Sequence, residues 1–211
     1  DLGEAAFSAQ ILQRPVPAGG TLFKLKHFQR YKELPPRSHI ERVVQSWDPA
    51  FVDGDMNAYS VCTTWAISGQ KLYLVDVFRQ RIEFPQLELI IPELRKKLSA
   101  DKVIVERAGV GAAIVQKLEY LQRPNRWLYD VLPKLGKVER AVVQTPKIER
   151  GRLYLPVEAE WLETFEAEVL AFPHGRYCDQ VDSMVQFLYA LDFRQIVLGL
   201  SAYESNPHQP F

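Results

Sequence analysis

The sequence predicts an α/β domain in which a mixed β-sheet is flanked by helices. Two β-rich runs separated by the turn Ser68-Gly69-Gln70 predict an antiparallel hairpin early in the chain. Later strand-like runs alternate with helical patterns, which favours parallel pairing covered by helices. The chain has 211 residues, and its 47% apolar composition is sufficient for a substantial core.

Strands are predicted where β-branched and aromatic residues cluster between turn signals. The first, over 43–47, ends at Asp48-Pro49, because proline cannot continue a ladder. The other predicted strands cover 59–67, 72–78, 102–106, 127–132 and 152–155. Helical spacing of apolar residues predicts helices over 85–98, 114–121, 137–150, 161–172 and 178–191. Pro92 is expected to kink the first helix or make it restart, and Gly109 and Gly111 are interpreted as helix-entry flexibility.

Three regions are expected along the chain. Residues 1–40 contain Pro/Gly clusters and are interpreted as a connector that packs on the domain. Residues 41–195 would form the domain itself, and residues 196–211 a tail that frays. Because the chain opens on Asp1 and not on methionine, we expect it to be a piece of a longer protein.

Composition and motif spacing exclude several classes of protein. No apolar run approaches the roughly 18 residues of a membrane span, so a protein without a membrane segment is expected. Two cysteines indicate no disulfide framework. The four histidines lack zinc-site spacing, and no phosphate-binding loop of an ATPase is present.

Acidic residues provide the strongest chemical signal. Asp48 and Glu106 each end a predicted strand, and Asp179 and Asp182 lie one turn apart at the start of the last helix. Taken singly, each has an ordinary explanation as a turn residue, a salt-bridge partner or a helix cap. Brought together, carboxylates repel one another unless cations offset the charge. Oxygen ligands of this kind suit Mg²⁺ or Mn²⁺, and two such ions about 3.5–4 Å apart can support phosphodiester cleavage.

Arg79 flanks the end of the predicted strand over 72–78, and other basic residues follow Glu106 along the sequence. Arg79, Arg107, Lys137 and Arg140 are the candidates for contacts with a phosphate backbone. The alternative is a solvated helix face, which interspersed acids such as Glu139 favour.

The ordered set of motifs resembles the large subunit of phage terminases. The resemblance rests on residues 9–17 with Gly19-Gly20, 44–48, 59–65, 103–106 with Gly111, 151–156, and 171–173 with 179–182. It runs in order from about residue 5 to residue 192. One departure is Cys178, which stands where the family often has the first aspartate of its third motif.

This resemblance implies a ribonuclease H-like fold and a metal-dependent endonuclease. It would cut concatemeric double-stranded viral DNA during genome packaging in the host cytoplasm. It also implies two Mg²⁺ or Mn²⁺ ions held by Asp48, Glu106 and Asp179, with Asp182 as a nearby further acid. A missing N-terminal ATPase domain, a small terminase subunit and a portal protein would be its partners.

Two other functions stay open at this point. The first is a different ribonuclease H-like nuclease, such as a resolvase or an exonuclease. The second is a non-catalytic domain that grips DNA or docks on the portal.

Overall fold

The computed structural model of the chain describes residues 21–50, 59–107, 109–119, 126–132 and 135–192. Seven strands lie in these ranges: β1 (Gln29–Tyr31), β2 (Arg42–Asp48), β3 (Ser60–Ser68), β4 (Lys71–Gln80), β5 (Lys102–Glu106), β6 (Leu128–Val131) and β7 (Leu153–Pro156). Five α-helices accompany them: α1 (Phe84–Lys97), α2 (Val110–Leu118), α3 (Lys137–Glu149), α4 (Leu162–Ala171) and α5 (Asp179–Asp192). The expected tail at 196–211 and Leu121 of the second predicted helix lie outside the described residues.

All seven strands form one mixed sheet in the order β1-β7-β4-β3-β2-β5-β6. The centre is antiparallel, with β3 paired to both β2 and β4, which confirms the predicted hairpin. Strands β5 and β6 extend the sheet in parallel from β2. On the other side β7 pairs in parallel with β4, and β1 with β7.

Helices cover both faces of the sheet. On one face, buried residues of α3, α4 and α5 pack with strand residues such as Val44 and Ile104. On the opposite face, α1 and α2 pack with Trp47, Val103 and Val105. The alternation along β2 and β5 follows from the two-residue period of a strand. We call these two surfaces the α5 face and the α1 face.

Two local expectations are modified by the structure. Helix α1 runs continuously through Pro92, so the expected restart is wrong. Burial of Ile91 and Leu94 on either side of the proline offsets the backbone hydrogen bond that proline cannot make. Within the predicted connector, Phe23 and Phe28 are buried in the core, and β1 forms an edge strand of the sheet. This part of the predicted connector therefore contributes to the core and supplies one strand of the sheet.

None of the helices in the described ranges combines the length and apolar character needed to cross a membrane.

Candidate active site

Two acids end neighbouring parallel strands. Asp48 is the last residue of β2 and Glu106 the last of β5, and the register places Trp47 opposite Val105. Val44 and Ile104 belong to the α5-face core, so strand alternation directs Asp48 and Glu106 to the same face. A rigid sheet therefore supports both carboxyl groups at one edge.

Buried hydrogen bonds hold helix α5 against this face of the sheet. The Ser183 hydroxyl donates to the Ser46 carbonyl oxygen over 2.7 Å. The Gln186 amide donates to Ser46 Oγ at 3.0 Å and to the Trp47 carbonyl oxygen at 3.1 Å. Because these bonds contact β2 just before Asp48, they fix the position of α5 along that strand.

The beginning of α5 has a carboxylate cap from another helix. Glu168 of α4 accepts hydrogen bonds from the Gln180 backbone N–H at 2.6 Å and from the Gln180 side-chain amide at 2.7 Å. It also accepts from the Val181 backbone N–H at 3.3 Å. A buried carboxylate is favoured at the positive end of a helix dipole. Glu168 thereby holds the turn that carries Asp179 and Asp182, a role that the sequence analysis missed.

The acids on this face form one electrostatic group. Burial, the largest cause, raises the pKa of Asp48 to about 8, with Lys137 opposing the rise and Asp182, Glu106 and Asp179 adding to it. Burial likewise raises the pKa of Asp179 and of Asp182, and in both Lys137 is the leading opposing charge. The predicted acids are thus brought together, and each of the other three carboxyl groups disfavours ionisation of Asp48.

Two cations from α3 lie among these acids. Lys137 Nζ is 2.5 Å from Asp182 Oδ2 and 4.0 Å from Asp48 Oδ2. Arg140 Nη1 donates to Glu106 Oε2 over 3.1 Å. Within the described residues, no three His, Cys, Asp or Glu side chains are placed as they stand to hold one metal ion. In this arrangement the α3 cations supply the neutralising charge.

The donor set nevertheless fits a hard divalent cation. Four carboxyl groups offer the oxygen ligands that Mg²⁺ and Mn²⁺ prefer. The raised pKa values of Asp48, Asp179 and Asp182 mark a site in which the ionised forms need additional positive charge. The chemistry of these residues suits the ion, and side-chain rotation would be required to form a complete ligand shell.

Comparison with known proteins gives matches for the fold of this chain but none for its sequence. No protein-family model matches the sequence, and no curated protein matches it. The magnesium-bound large terminase nuclease of thermophilic phage G20c is similar in structure, with a TM-score of 0.60 and 17% identity. That match covers 82% of this chain and 98% of the phage nuclease. The chain has the fold of large-terminase nucleases.

Two further structures agree with this assignment. The zinc-bound form of the G20c nuclease has a TM-score of 0.60 at 16% identity, over 80% of this chain and 97% of that one. The ADP complex of the large terminase of a second thermophilic bacteriophage has a TM-score of 0.61 at 12% identity. The match covers 82% of this chain but spans only 45% of that larger protein. The predicted ribonuclease H-like, mixed α/β fold is confirmed.

The predicted DNA-binding residues of this terminase-nuclease fold have different surroundings. Arg107 pairs with Asp130 at 2.7 Å and keeps 58% of its side chain exposed. Arg79 stacks on the Tyr59 ring, with its guanidinium carbon 3.6 Å from the ring centroid. Lys137 and Arg140 instead face the acids, and Arg140 exposes only 4% of its side chain. DNA binding by these four residues stays a prediction.

Gly111 has a steric role that corrects its interpretation as helix-entry flexibility. A Cβ at this position would lie 1.9 Å from the Glu106 carbonyl oxygen, so only glycine lets α2 approach the end of β5. Gly109 has a φ of +48°, a region in which side chains are rarely found. This pair therefore sets the backbone that presents Glu106.

Cys178, the residue before Asp179, is a neutral thiol close to these acids. Burial first, and then Asp182 and Glu168, raise its pKa to about 11. A thiolate nucleophile requires a shift in the opposite direction. Cys178 is therefore not activated as a nucleophile.

Proposed function

We propose that this chain is the metal-dependent endonuclease domain of a phage or prophage terminase large subunit. Its substrate would be concatemeric double-stranded viral DNA, cut during genome packaging in the host cytoplasm. The observation that carries the proposal is the convergence of Asp48, Glu106, Asp179 and Asp182 on one face of this fold. Support comes from the terminase nuclease of phage G20c, a protein of the same fold that was solved with bound magnesium.

Each acid has a role in the proposed site. Asp48, whose ionisation is opposed by each of the other three acids, would be a ligand of both of two Mg²⁺ or Mn²⁺ ions. Glu106 and Asp179 would each hold one ion, with Asp182 as a further acid beside them. When bound, such ions activate a water for in-line attack and stabilise the charge on the leaving oxygen.

The protein's own contribution is positioning. The ends of β2 and β5 hold two acids on a rigid sheet, and the Ser183 and Gln186 bonds hold α5 against it. Arg107 and Lys137, whose side chains are more than half exposed, would attract a phosphate backbone. Arg140, which is buried, would act through Glu106 by holding that carboxylate. Orientation of this kind is a large part of what an enzyme adds to ion chemistry.

The remaining assignments concern the whole protein. An N-terminal ATPase domain, a small terminase subunit and a portal protein are the partners that a large terminase would have. The share of the ADP-bound large terminase that this chain spans, 45%, leaves room for a further domain of that kind.

A plasmid-cleavage assay with Asp48→Asn tests the proposal. With Mn²⁺, the wild-type chain should nick and linearise plasmid DNA, and Asp48→Asn should lose that activity while keeping the wild-type circular dichroism spectrum. The matched control is Asp76→Asn, which changes another strand aspartate whose pKa is raised by burial, close to Lys97 of α1. Cleavage by Asp48→Asn at the wild-type rate would refute the assignment.

The same assay separates the two alternatives. Preference for junctions or free ends over long duplex DNA would indicate a resolvase or an exonuclease. DNA binding without divalent-ion binding in isothermal titration calorimetry would indicate a domain that only grips DNA or docks on the portal.

A further inference from the structure

Lys137 occupies the position in which the acid group needs a cation. Its ammonium is 2.5 Å from one oxygen of Asp182 and 4.0 Å from one oxygen of Asp48. Asp182 is nearly inaccessible, with 2% of its side chain exposed, and Asp48 exposes 19%. A buried carboxylate is costly unless a positive group compensates it, so this contact stabilises the acids as they stand.

The two α3 cations differ in their freedom to leave. Arg140 exposes 4% of its side chain and is enclosed beside Glu106. Lys137 exposes 55% and is the first residue of α3, directly after the exposed Gly136. A lysine ammonium is a point charge on a flexible four-carbon stem, whereas a guanidinium is a rigid fork. Lys137 can therefore swing to solvent without disturbing the core, and Arg140 cannot.

A divalent ion and this ammonium compete for the same oxygens. Ion ligation requires free lone pairs on Asp48 and Asp182, and Lys137 already takes a hydrogen bond acceptor on Asp182. Two cations within a few ångströms also repel each other strongly in a partly buried site. The absence of a complete ligand shell among the described residues agrees with this competition.

We propose that Lys137 is a resident counterion, which holds Asp48 and Asp182 while no divalent ion is bound and is displaced to solvent when one binds. The inference rests on the proposed function, because it takes these acids as the ion site. It assigns Lys137 a role in ion exchange that its prediction as a DNA-binding residue does not contain. Lys137 thus lowers the affinity of the site for divalent ions.

Isothermal titration of the 211-residue chain with MnCl₂ tests the proposal. Lys137→Met removes the ammonium and keeps most of the side-chain volume, so it should bind Mn²⁺ at least about fivefold more tightly than the wild type. The matched control is Lys147→Met on the same helix, whose ammonium is also 2.5 Å from an aspartate oxygen, that of Asp192. It removes the same charge away from the site and should leave the Mn²⁺ affinity unchanged.

Thermal unfolding provides a second readout that is independent of activity. In EDTA, Lys137→Met should melt below the wild type, and saturating Mn²⁺ should raise its melting temperature by more than it raises that of the wild type. If Lys137→Met does not fold, Lys137→Arg replaces it. The rigid guanidinium should hold Asp182 more firmly, so Mn²⁺ should bind that variant more weakly than the wild type.

The outcomes distinguish this inference from the function on which it rests. Equal or weaker Mn²⁺ binding by Lys137→Met, with wild-type binding that Asp48→Asn abolishes, would overturn the counterion role and leave the ion site intact. Undetectable Mn²⁺ binding by both the wild type and Lys137→Met would overturn both proposals. Tighter binding by Lys137→Arg would also contradict the counterion role.

Discussion

The two faces of the sheet are built from different interactions. On the α1 face, fully buried apolar side chains such as Leu87, Ile91 and Ile114 fill the interface. On the α5 face, an apolar core is joined by buried polar side chains, among them Ser183, Gln186 and Glu168, which bond across elements. Hydrophobic burial is non-directional, whereas a hydrogen bond fixes distance and orientation. On the face that carries the acids, directional hydrogen bonds therefore position helix α5.

The largest effect is expected where the α1 face supports the site. Gly111 of α2 approaches Glu106 so closely that Gly111→Ala would place a Cβ 1.9 Å from its carbonyl oxygen. We expect Gly111→Ala to lower the free energy of unfolding by about 1–3 kcal/mol or more and cleavage by about 100-fold, because it moves Glu106, a proposed ion ligand. Ala112→Gly, an exposed change in the same helix, should cost about 1 kcal/mol and leave cleavage intact. Full activity in folded Gly111→Ala would show that the end of β5 is not part of the site.

A pair of substitutions sharpens the comparison between the faces. Leu87→Ala on the α1 face should cost about 2–5 kcal/mol in unfolding free energy, because it opens a cavity, without changing Mn²⁺ affinity. Gln186→Met on the α5 face should cost about 1–3 kcal/mol and weaken Mn²⁺ binding about tenfold or more, because α5 loses two bonds to β2. Urea unfolding and calorimetry measure the two quantities. Equal effects of Leu87→Ala and Gln186→Met on Mn²⁺ affinity would show that the two faces do not differ in how they support the site.

A smaller effect is expected from pH. Burial above all raises the pKa of Asp48 from 3.8 to about 8, so between these values the folded protein holds a proton that the unfolded chain releases. Stability from this group is present at low pH and is lost as pH rises through about 8. In EDTA, the melting temperature of Asp48→Asn relative to that of the wild type should therefore rise steadily from pH 5 to pH 8, at about 2–4 °C per kcal/mol. Parallel melting curves for the two proteins from pH 5 to pH 8.5 would contradict this.

Much of the sheet and the acid group could be predicted from local sequence patterns. The apolar runs located β2 and β5, and both runs end in an acid at the matching edge of the sheet. That Asp48 and Glu106 share a face follows only from the structure, because the packing shows that Val44 and Ile104 lie in one core. The acids of α5 follow from their position in the first turn of a recognisable helix.

What the sequence missed depends on long-range contacts. Lys137 and Asp182 are 45 residues apart, and Glu168 reaches Gln180 from a different helix. Neither pairing leaves a periodic pattern in the local sequence. The basic residues after Glu106 were therefore predicted to contact DNA, although two of them, Lys137 and Arg140, face the acids. The edge strand β1 has three residues and owes its conformation to pairing with β7. Tertiary context, and not propensity, creates such a strand.

A crystal structure of this chain grown with Mn²⁺ tests the central claim most directly, because manganese gives an anomalous signal. The account predicts an anomalous peak within ligand distance of Asp48 and of at least one of Glu106, Asp179 and Asp182. It also predicts that Lys137 Nζ has left Asp182. Well-ordered carboxyl groups on the α5 face with no anomalous peak at millimolar Mn²⁺ would contradict it.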